Sequence, residues 1–464
     1  MLLEGSMYTH ERDGQYLAVL ADYPYWMAVN EAGKDVLQLC YTCTSLEELA
    51  FEFARSENLL LEESLEIITE FLDPLKDHHI LGSDPCKEKY SVDPVLVAIC
   101  INVTRNCNLH CPHCYASGGT VYPNELSGDE LRTFLRDVKP YTKGTVQVQL
   151  TGGEPFLEEE KMFAVIEEFR KLGYTILIVN TNGTLLTREN VDRLKKAVSG
   201  IEHFSITVSL DGATKEMHEL VRGSDTFEKT LQALKMLRKS NLPVAASITI
   251  HKENFSELEA LFNLCMDLDV VPYTSPLAPL GRAQNSTLEP VSLSNLVTET
   301  YRIIKKNDLP RDKMSATYLY YIVQALRNMN RRLYCGSGLS TLFLDSNGDL
   351  YPCMNTLYQN AFKCGNVREA PFGKIWEHSP VYHQMRYLNI PESNEKCAEC
   401  EVRYICAGYC RGLTYAVTND LCAPFIWCED FRKALIETMW ILSEEPDLFQ
   451  EQARAEFIRY SMCR

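Results

Sequence analysis

Three cysteines, Cys107, Cys111 and Cys114, stand in a CxxxCxxC spacing within the stretch TRNCNLHCPHCY at 104–115. Three thiolates so close in sequence can converge on one metal centre, and soft sulfur ligands select zinc or iron–sulfur clusters. Four thiolates would close a cluster site. Three leave one metal position open, where chemistry can happen. A second field begins at Cys335. It continues through twelve residues, Gly348, four residues and Cys353, then Cys397-x2-Cys400-x5-Cys406-x3-Cys410, with Cys428 seventeen residues on. Seven cysteines in this order can supply two further metal sites, and a pair of structural zinc ribbons could use a similar pattern. The chain has 18 cysteines and no apparent signal peptide, which argues for metal or redox chemistry over a disulfide framework.

The elements that must position these residues fall into three segments, as expected for 464 residues. Residues 1–92 read as a small α+β domain. Apolar, aromatic-rich strand patterns at 16–21 and 25–30 are followed by helical patterns at 31–40, 45–55 and 62–75. The second helix opens on a capping-box pattern at Ser45. The third puts Leu65, Ile68, Phe71 and Leu72 on one face. Cys40 and Cys43 read as core. The polar stretch 84–91 is the linker. From 95 to about 307, six strand–helix units alternate, with strands at 95–103, 146–150, 175–180, 203–210, 244–250 and 270–275. Their helices lie at 129–138, 161–172, 188–198, 227–237 and 257–268. That alternation implies a parallel sheet with crossover helices, short of the eight units of a closed barrel. A helix at 437–454 ends the chain. Cys86, Cys100, Cys265 and Cys463 have no partner spacing and read as buried thiols.

The strand ends carry the other candidates, as in barrel folds generally. Gly152 and Gly153 permit close backbone approach, and Glu154 beside them can bind an ammonium. Asn180–Gly183 is a turn signal at the third strand end. Ser209 and Asp211 follow the fourth strand, then Arg222, and Gly281-Arg282 follows the sixth.

These motifs resemble the radical S-adenosylmethionine (SAM) enzymes, and the C-terminal field resembles their SPASM extension. The resemblance implies a partial (β/α)6 TIM-type barrel between an N-terminal α+β winged-helix-like domain and a cysteine-rich SPASM domain. The implied boundaries are 1–92, 93–310 and 330–435, with the terminal helix at 436–464. In the family, the three cysteines of the first loop hold a [4Fe–4S] cluster whose fourth iron is chelated by SAM. An electron from the cluster cleaves SAM to a 5′-deoxyadenosyl radical that abstracts hydrogen from substrate. Carried over by position, Cys107, Cys111 and Cys114 hold that cluster. Cys397, Cys400, Cys406 and Cys428 hold a distal one. Cys335, Cys353 and Cys410 hold a proximal one, whose fourth iron is open or takes Cys364 or Cys422, since 328–334 contains no cysteine. Three [4Fe–4S] clusters and SAM are the implied cofactors. Gly152, Gly153 and Glu154 correspond to the SAM-amino site, Ser209 and Asp211 to ribose contacts, Arg222 to the carboxylate contact, and 279–283 to a further cofactor-side loop.

Residues 1–92 resemble the leader-binding element of peptide-modifying enzymes, which captures a precursor by strand addition. The expected function is therefore a radical SAM maturase of a ribosomally made peptide, installing thioether cross-links between a cysteine sulfur and a carbon. The alternatives are C–C or C–O cross-linking, epimerisation or decarboxylation. Outside the enzyme class, the alternative is a zinc-bearing peptide-binding protein. Met354, immediately after Cys353, departs from the aspartate of sulfatase-maturing relatives and leaves the proton acceptor unnamed. An electron donor such as flavodoxin or ferredoxin is implied.

A net charge of −17 disfavours nucleic acid as main partner. Residues 1–95 hold about 19 acids against 6 bases, which suits a basic partner. No apolar run reaches the roughly 18 residues of a membrane span, so a cytoplasmic enzyme is expected.

Overall fold

The computed structural model describes residues 2–78, 80–81, 93–119, 122–327 and 335–450. The linker, the cysteine-free run 328–334, His79, Cys86 and Cys463 lie outside these residues.

The N-terminal sheet has three antiparallel strands in the order β1 (Met7–Arg12), β2 (Gln15–Leu20) and β3 (Tyr25–Val29). The sequence reading had only the last two. β1 is the polar, half-exposed strand MYTHER, so it lacks an apolar run. Its signal was Asp13-Gly14, both at positive φ (52° and 77°), the pair favoured by a tight hairpin. Helices Glu31–Leu39, Leu46–Glu57 and Leu61–Asp77 follow. Ser45 caps the second by accepting from the Glu48 N–H, but Glu48 reaches back to Thr44 rather than closing a reciprocal box. In the third helix Ser64, Ile68, Leu72 and Leu75 are buried, while Leu65 is 39% exposed and lies off that face. Ser64 takes its place, donating to the Ala50 carbonyl across the helix pair.

This unit is less separate than its sequence suggests. Along β2, Ala18 and Leu20 join the core of the N-terminal helices, while Leu17 and Val19 join the main core of the molecule. Period-two alternation therefore buries both faces of one strand. At the same interface, Tyr8 donates to the Glu399 carbonyl, His10 meets Glu401 at 2.6 Å, and Arg12 pairs with Glu437. Arg403 reaches Asp22 at 2.6 Å.

Six parallel strands form the barrel wall: β4 (Leu96–Asn102), β5 (Thr142–Thr151), β6 (Ile176–Thr181), β7 (His203–Ser209), β8 (Val244–Ile250) and β9 (Val271–Pro276). Helices Gly128–Val138, Glu159–Lys171, Arg188–Ala197, Phe227–Lys239 and Leu258–Asp267 alternate with them, close to the expected ranges. β5 starts earlier than expected: its first residues are polar, and Thr142 pairs with Leu96 ahead of a register shift against β4.

The wall does not stop at β4. β10 (Thr341–Leu344) pairs parallel with β4, and β11 (Asp349–Tyr351) and β12 (Gly365–Asn366) extend the same nine-stranded sheet. The cysteine-rich region thus grows from the edge of the barrel. Asn102 of β4 donates to buried Asp345 at 2.6 Å, tying strand to hairpin. Gly348, the glycine of the Cys335–Cys353 spacing, turns that hairpin at φ 93°. The last described helix is Cys428–Glu444, beginning within the segment assigned to the SPASM region. Its buried stripe of Phe431, Ala434, Leu435, Thr438, Met439 and Leu442 already starts there. No described helix is long and apolar enough to cross a membrane.

Candidate active site

The loop leaving β4 carries the first three cysteines. It is built from local bonds: the Asn106 N–H donates to Thr104 Oγ1, and the Arg105 N–H donates to Glu125. The Arg105 guanidinium lies between the Tyr122 and Tyr358 rings at 4.3 and 4.2 Å. The end of β5 presses on this loop. The Gly153 N–H donates to Thr104 O and the Glu154 N–H to Asn106 O, both at 2.7 Å. A Cβ on Gly152 would lie 2.5 Å from Thr104 O, and one on Gly153 2.1 Å from Asn106 O. Only glycine permits that approach.

A cavity of about 330 Å³ opens above the strand ends. Cys107, Cys111 and Cys114 line it, with Gly152, Gly153, Asn182, Ser209 and Arg222. Cys335, Cys353 and Cys410 line the same cavity, with Tyr273, Tyr318, Tyr409 and Met354. The fold thus brings two cysteine triads, more than two hundred residues apart, to one space.

Two of the expected contacts are differently placed. Glu154 is fully buried and does not line the cavity. Its carboxylate accepts from Thr181 Oγ1 and the Asn182 N–H, each at 2.7 Å, so it ties β5 to the end of β6. Burial pushes its pKa up against those bonds. Its oxygens are engaged by the fold, with Oε1 also accepting from the Phe156 N–H. Asp211 is likewise fully buried behind the wall. It binds Arg222 Nε at 2.5 Å and the Thr249 N–H at 2.8 Å, and His113 Nε2 stands 3.5 Å away. Burial opposes its charge, but Arg222, His113 and the Thr249 N–H hold its pKa down at about 2. Asp211 orients Arg222 and is not among the residues lining the cavity. Burial works against the charge of Arg222 too, yet Asp211 and Cys111 keep its pKa raised. Its Nη1 lies 3.8 Å from Cys111 Sγ.

Sequence reasoning gave the loop at 279–283 a cofactor-side role. Arg282 of that loop lines the cavity and also grips the cysteine loop, donating to the Cys111 and Gly118 carbonyls. The signal was Gly281, which stands at φ 57°.

The remaining cysteines also assemble. Cys397 feels the charges of Cys400 and Cys428, and Cys406 those of Cys400 and Cys397. Cys335 feels Cys353 and Cys410. Cys364 and Cys422 do not line the cavity. The Cys364 thiol donates to the Phe362 carbonyl at 3.5 Å. Cys40, Cys43, Cys100 and Cys265 are buried in cores.

Burial pushes the Cys107 and Cys410 thiols up to about 11 and those of Cys335 and Cys406 up to about 12. Such thiols release their protons when metal binds. Among the described residues no three His, Cys, Asp or Glu side chains close on a single ion. A cluster makes no such demand, because each thiolate binds a different iron. An all-thiolate donor set beside a glycine-floored cavity fits iron–sulfur clusters and a small cofactor.

Fold and site together define an iron–sulfur enzyme on a partial barrel. The radical SAM superfamily profile matches residues 101–265, and that of the SPASM iron–sulfur cluster-binding domain matches 335–401. An AdoMet-dependent heme synthase from Methanosarcina barkeri is 32% identical over 343 residues, spanning 70% of this chain and 94% of that protein. A mycofactocin maturase from Mycobacterium tuberculosis is 26% identical over 333 residues, 70% of this chain and 81% of its own. Among solved structures, Streptococcus suis SuiB bound to S-adenosylmethionine superposes with a TM-score of 0.58. It is 16% identical and covers 92% of this chain and 100% of that one. The same protein has also been solved with its precursor peptide SuiA. The chain belongs to the radical SAM superfamily and carries its SPASM extension. It is an enzyme whose radical SAM domain binds a [4Fe–4S] cluster and SAM, and whose SPASM domain binds additional iron–sulfur clusters.

Proposed function

We propose that this enzyme matures a ribosomally synthesised peptide by forming thioether links from a cysteine sulfur to carbon. One observation carries the reading: both cysteine triads line the same cavity, while Cys364 and Cys422, the two candidates for a fourth proximal ligand, do not. Cys107, Cys111 and Cys114 would hold the SAM-site cluster, and Cys397, Cys400, Cys406 and Cys428 the distal one. Cys335, Cys353 and Cys410 would hold the proximal one, leaving a position for a substrate thiolate. A metal-bound thiol is deprotonated outright. That removes the need for a carboxylate base, and among the described residues no Asp or Glu lines the cavity.

Bound at the first triad, the cluster and SAM supply the 5′-deoxyadenosyl radical that takes hydrogen from substrate. The protein does the rest. Gly152 and Gly153 let the cavity floor approach, Ser209 offers a hydroxyl, and Arg222 presents a cation held by Asp211. The tyrosine-lined wall excludes water around the substrate segment. Residues 1–92 would capture the leader, and a flavodoxin or ferredoxin would deliver the electrons. Support for a peptide substrate comes from the mycofactocin maturase relative and from the SuiB likeness, which extends over the N-terminal unit.

The test is iron content of anaerobically purified protein. About twelve irons per chain are expected, falling by about four when Cys335, Cys353 and Cys410 are replaced. Cys107→Ala should abolish SAM cleavage; normal cleavage by that variant would sink the assignment. A second reading, haem synthesis, is favoured by the 32% identity to the heme synthase. Absorbance titration with a coloured tetrapyrrole separates the two: tight binding there, and no modification of a cysteine-bearing leader peptide, selects the second.

A further inference from the structure

Among the described residues the barrel wall is open between its first and last strands: β4 pairs with β5 and β10, while β9 pairs with β8 alone. The loop after β9 nevertheless reaches the loop after β4. Arg282 Nε donates to Cys111 O at 2.9 Å, its Nη1 to Gly118 O at 2.6 Å, and its own N–H to Cys114 O at 3.0 Å. Gly281 stands at φ 57°, and a Cβ there would lie 2.2 Å from Tyr115 O. The Arg282 side chain also lines the cavity, and its charge favours the Cys111 thiolate. Fixed carbonyls and a nearby cation are two separate effects of one side chain.

We infer that Arg282 is a positioning residue that clamps the cysteine loop across the open mouth of the barrel and sets the reduction potential of the cluster held there. The second half rests on the assignment of Cys107, Cys111 and Cys114 as cluster ligands. Reduction adds negative charge to a thiolate-held cluster, so a fixed cation beside it favours the reduced form. Lysine in its place keeps the charge but loses the two-carbonyl grip; glutamine loses the charge. Gly281→Ala forces the two loops apart while leaving the arginine in place.

The experiment compares full-length, anaerobically purified wild type with Arg282→Lys, Arg282→Gln and Gly281→Ala. Amide hydrogen exchange over residues 104–119 should rise about tenfold in all three, with the barrel strands unchanged. The midpoint potential of the SAM-site cluster, followed by electron paramagnetic resonance, should fall in Arg282→Gln by about 59 mV, a tenfold shift of the one-electron equilibrium. Arg282→Lys should stay near wild type. Unchanged exchange in all three variants overturns the clamp. Exchange that rises throughout the molecule overturns it too, because Arg282 then supports the fold rather than the loop. A wild-type potential in Arg282→Gln overturns the electrostatic role. If wild type holds no iron at this triad, the cluster assignment fails, while the exchange data still decide the clamp.

Discussion

At the scale of single residues, the site is held by groups that pack its loops against one another. Gly153 is the clearest. Its missing side chain lets the end of β5 lie 2.1 Å, at the Cβ position, from a backbone oxygen that cannot swing aside. Gly153→Ala should therefore displace the cysteine loop at a cost of about 1–3 kcal/mol, and lower the iron bound per chain. Thermal unfolding and iron assay check both. Glu154 makes a different prediction from the one its motif suggests. Glutamine in its place turns a donor toward the Asn182 N–H or the Thr181 hydroxyl, leaving a buried mismatch worth about 1–3 kcal/mol. Thermal unfolding should show the loss in Glu154→Gln, even without SAM. If the side chain served only to hold the cofactor, stability without SAM would be unchanged.

At the scale of elements, the informative contacts join segments far apart in sequence. Arg368, just after β12, pairs with Glu130 at the start of the helix Gly128–Val138 and donates to the carbonyls of Asn124 and Glu125. The Arg368 bond holds the Glu130 carboxyl down at about 2, below its unfolded value. A depressed carboxyl stabilises the fold fully above the unfolded pKa near 4.3 and loses that contribution as pH falls toward 2. The stability gap between wild type and Arg368→Met in acid unfolding should therefore narrow from pH 6 to about pH 2, leaving the pH-independent share of the two carbonyl bonds. Solvent screens this partly exposed pair, so the difference at pH 6 should be small and shrink in salt.

At the scale of the whole molecule, the N-terminal unit is bound into the rest. Leu17 and Val19 belong to the main core, and the contacts of Tyr8, His10 and Asp22 fall on the segment carrying Cys397, Cys400 and Cys406. Removing residues 1–81 should expose that core and reduce both solubility and distal iron. Size-exclusion chromatography with iron assay measures this. Loss of peptide modification by such a truncation would not by itself show leader capture; substitutions on the exposed side of the N-terminal helices are the cleaner test.

The sequence by itself determined the elements and the chemistry. Near-continuous apolar runs gave β4, β6 and β8 nearly to the residue, because each strand is buried in the sheet and bounded by turn residues. The cysteine spacings limited the metal to zinc or iron–sulfur, because ligand spacing is a local property, and the family resemblance chose iron–sulfur. β1 escaped because its partly exposed residues show no apolar pattern. The hydrogen-bond partners of Glu154, Asp211 and Arg282 were not legible for a different reason. A carboxylate or guanidinium reads the same in sequence whether it faces a cavity or is spent on a neighbouring strand end. Only the tertiary structure decided that, by bringing the ends of β4, β5, β6, β7 and β9 together. It alone also decided that the two cysteine triads share one space, since β10 joins β4 across more than two hundred residues of intervening chain.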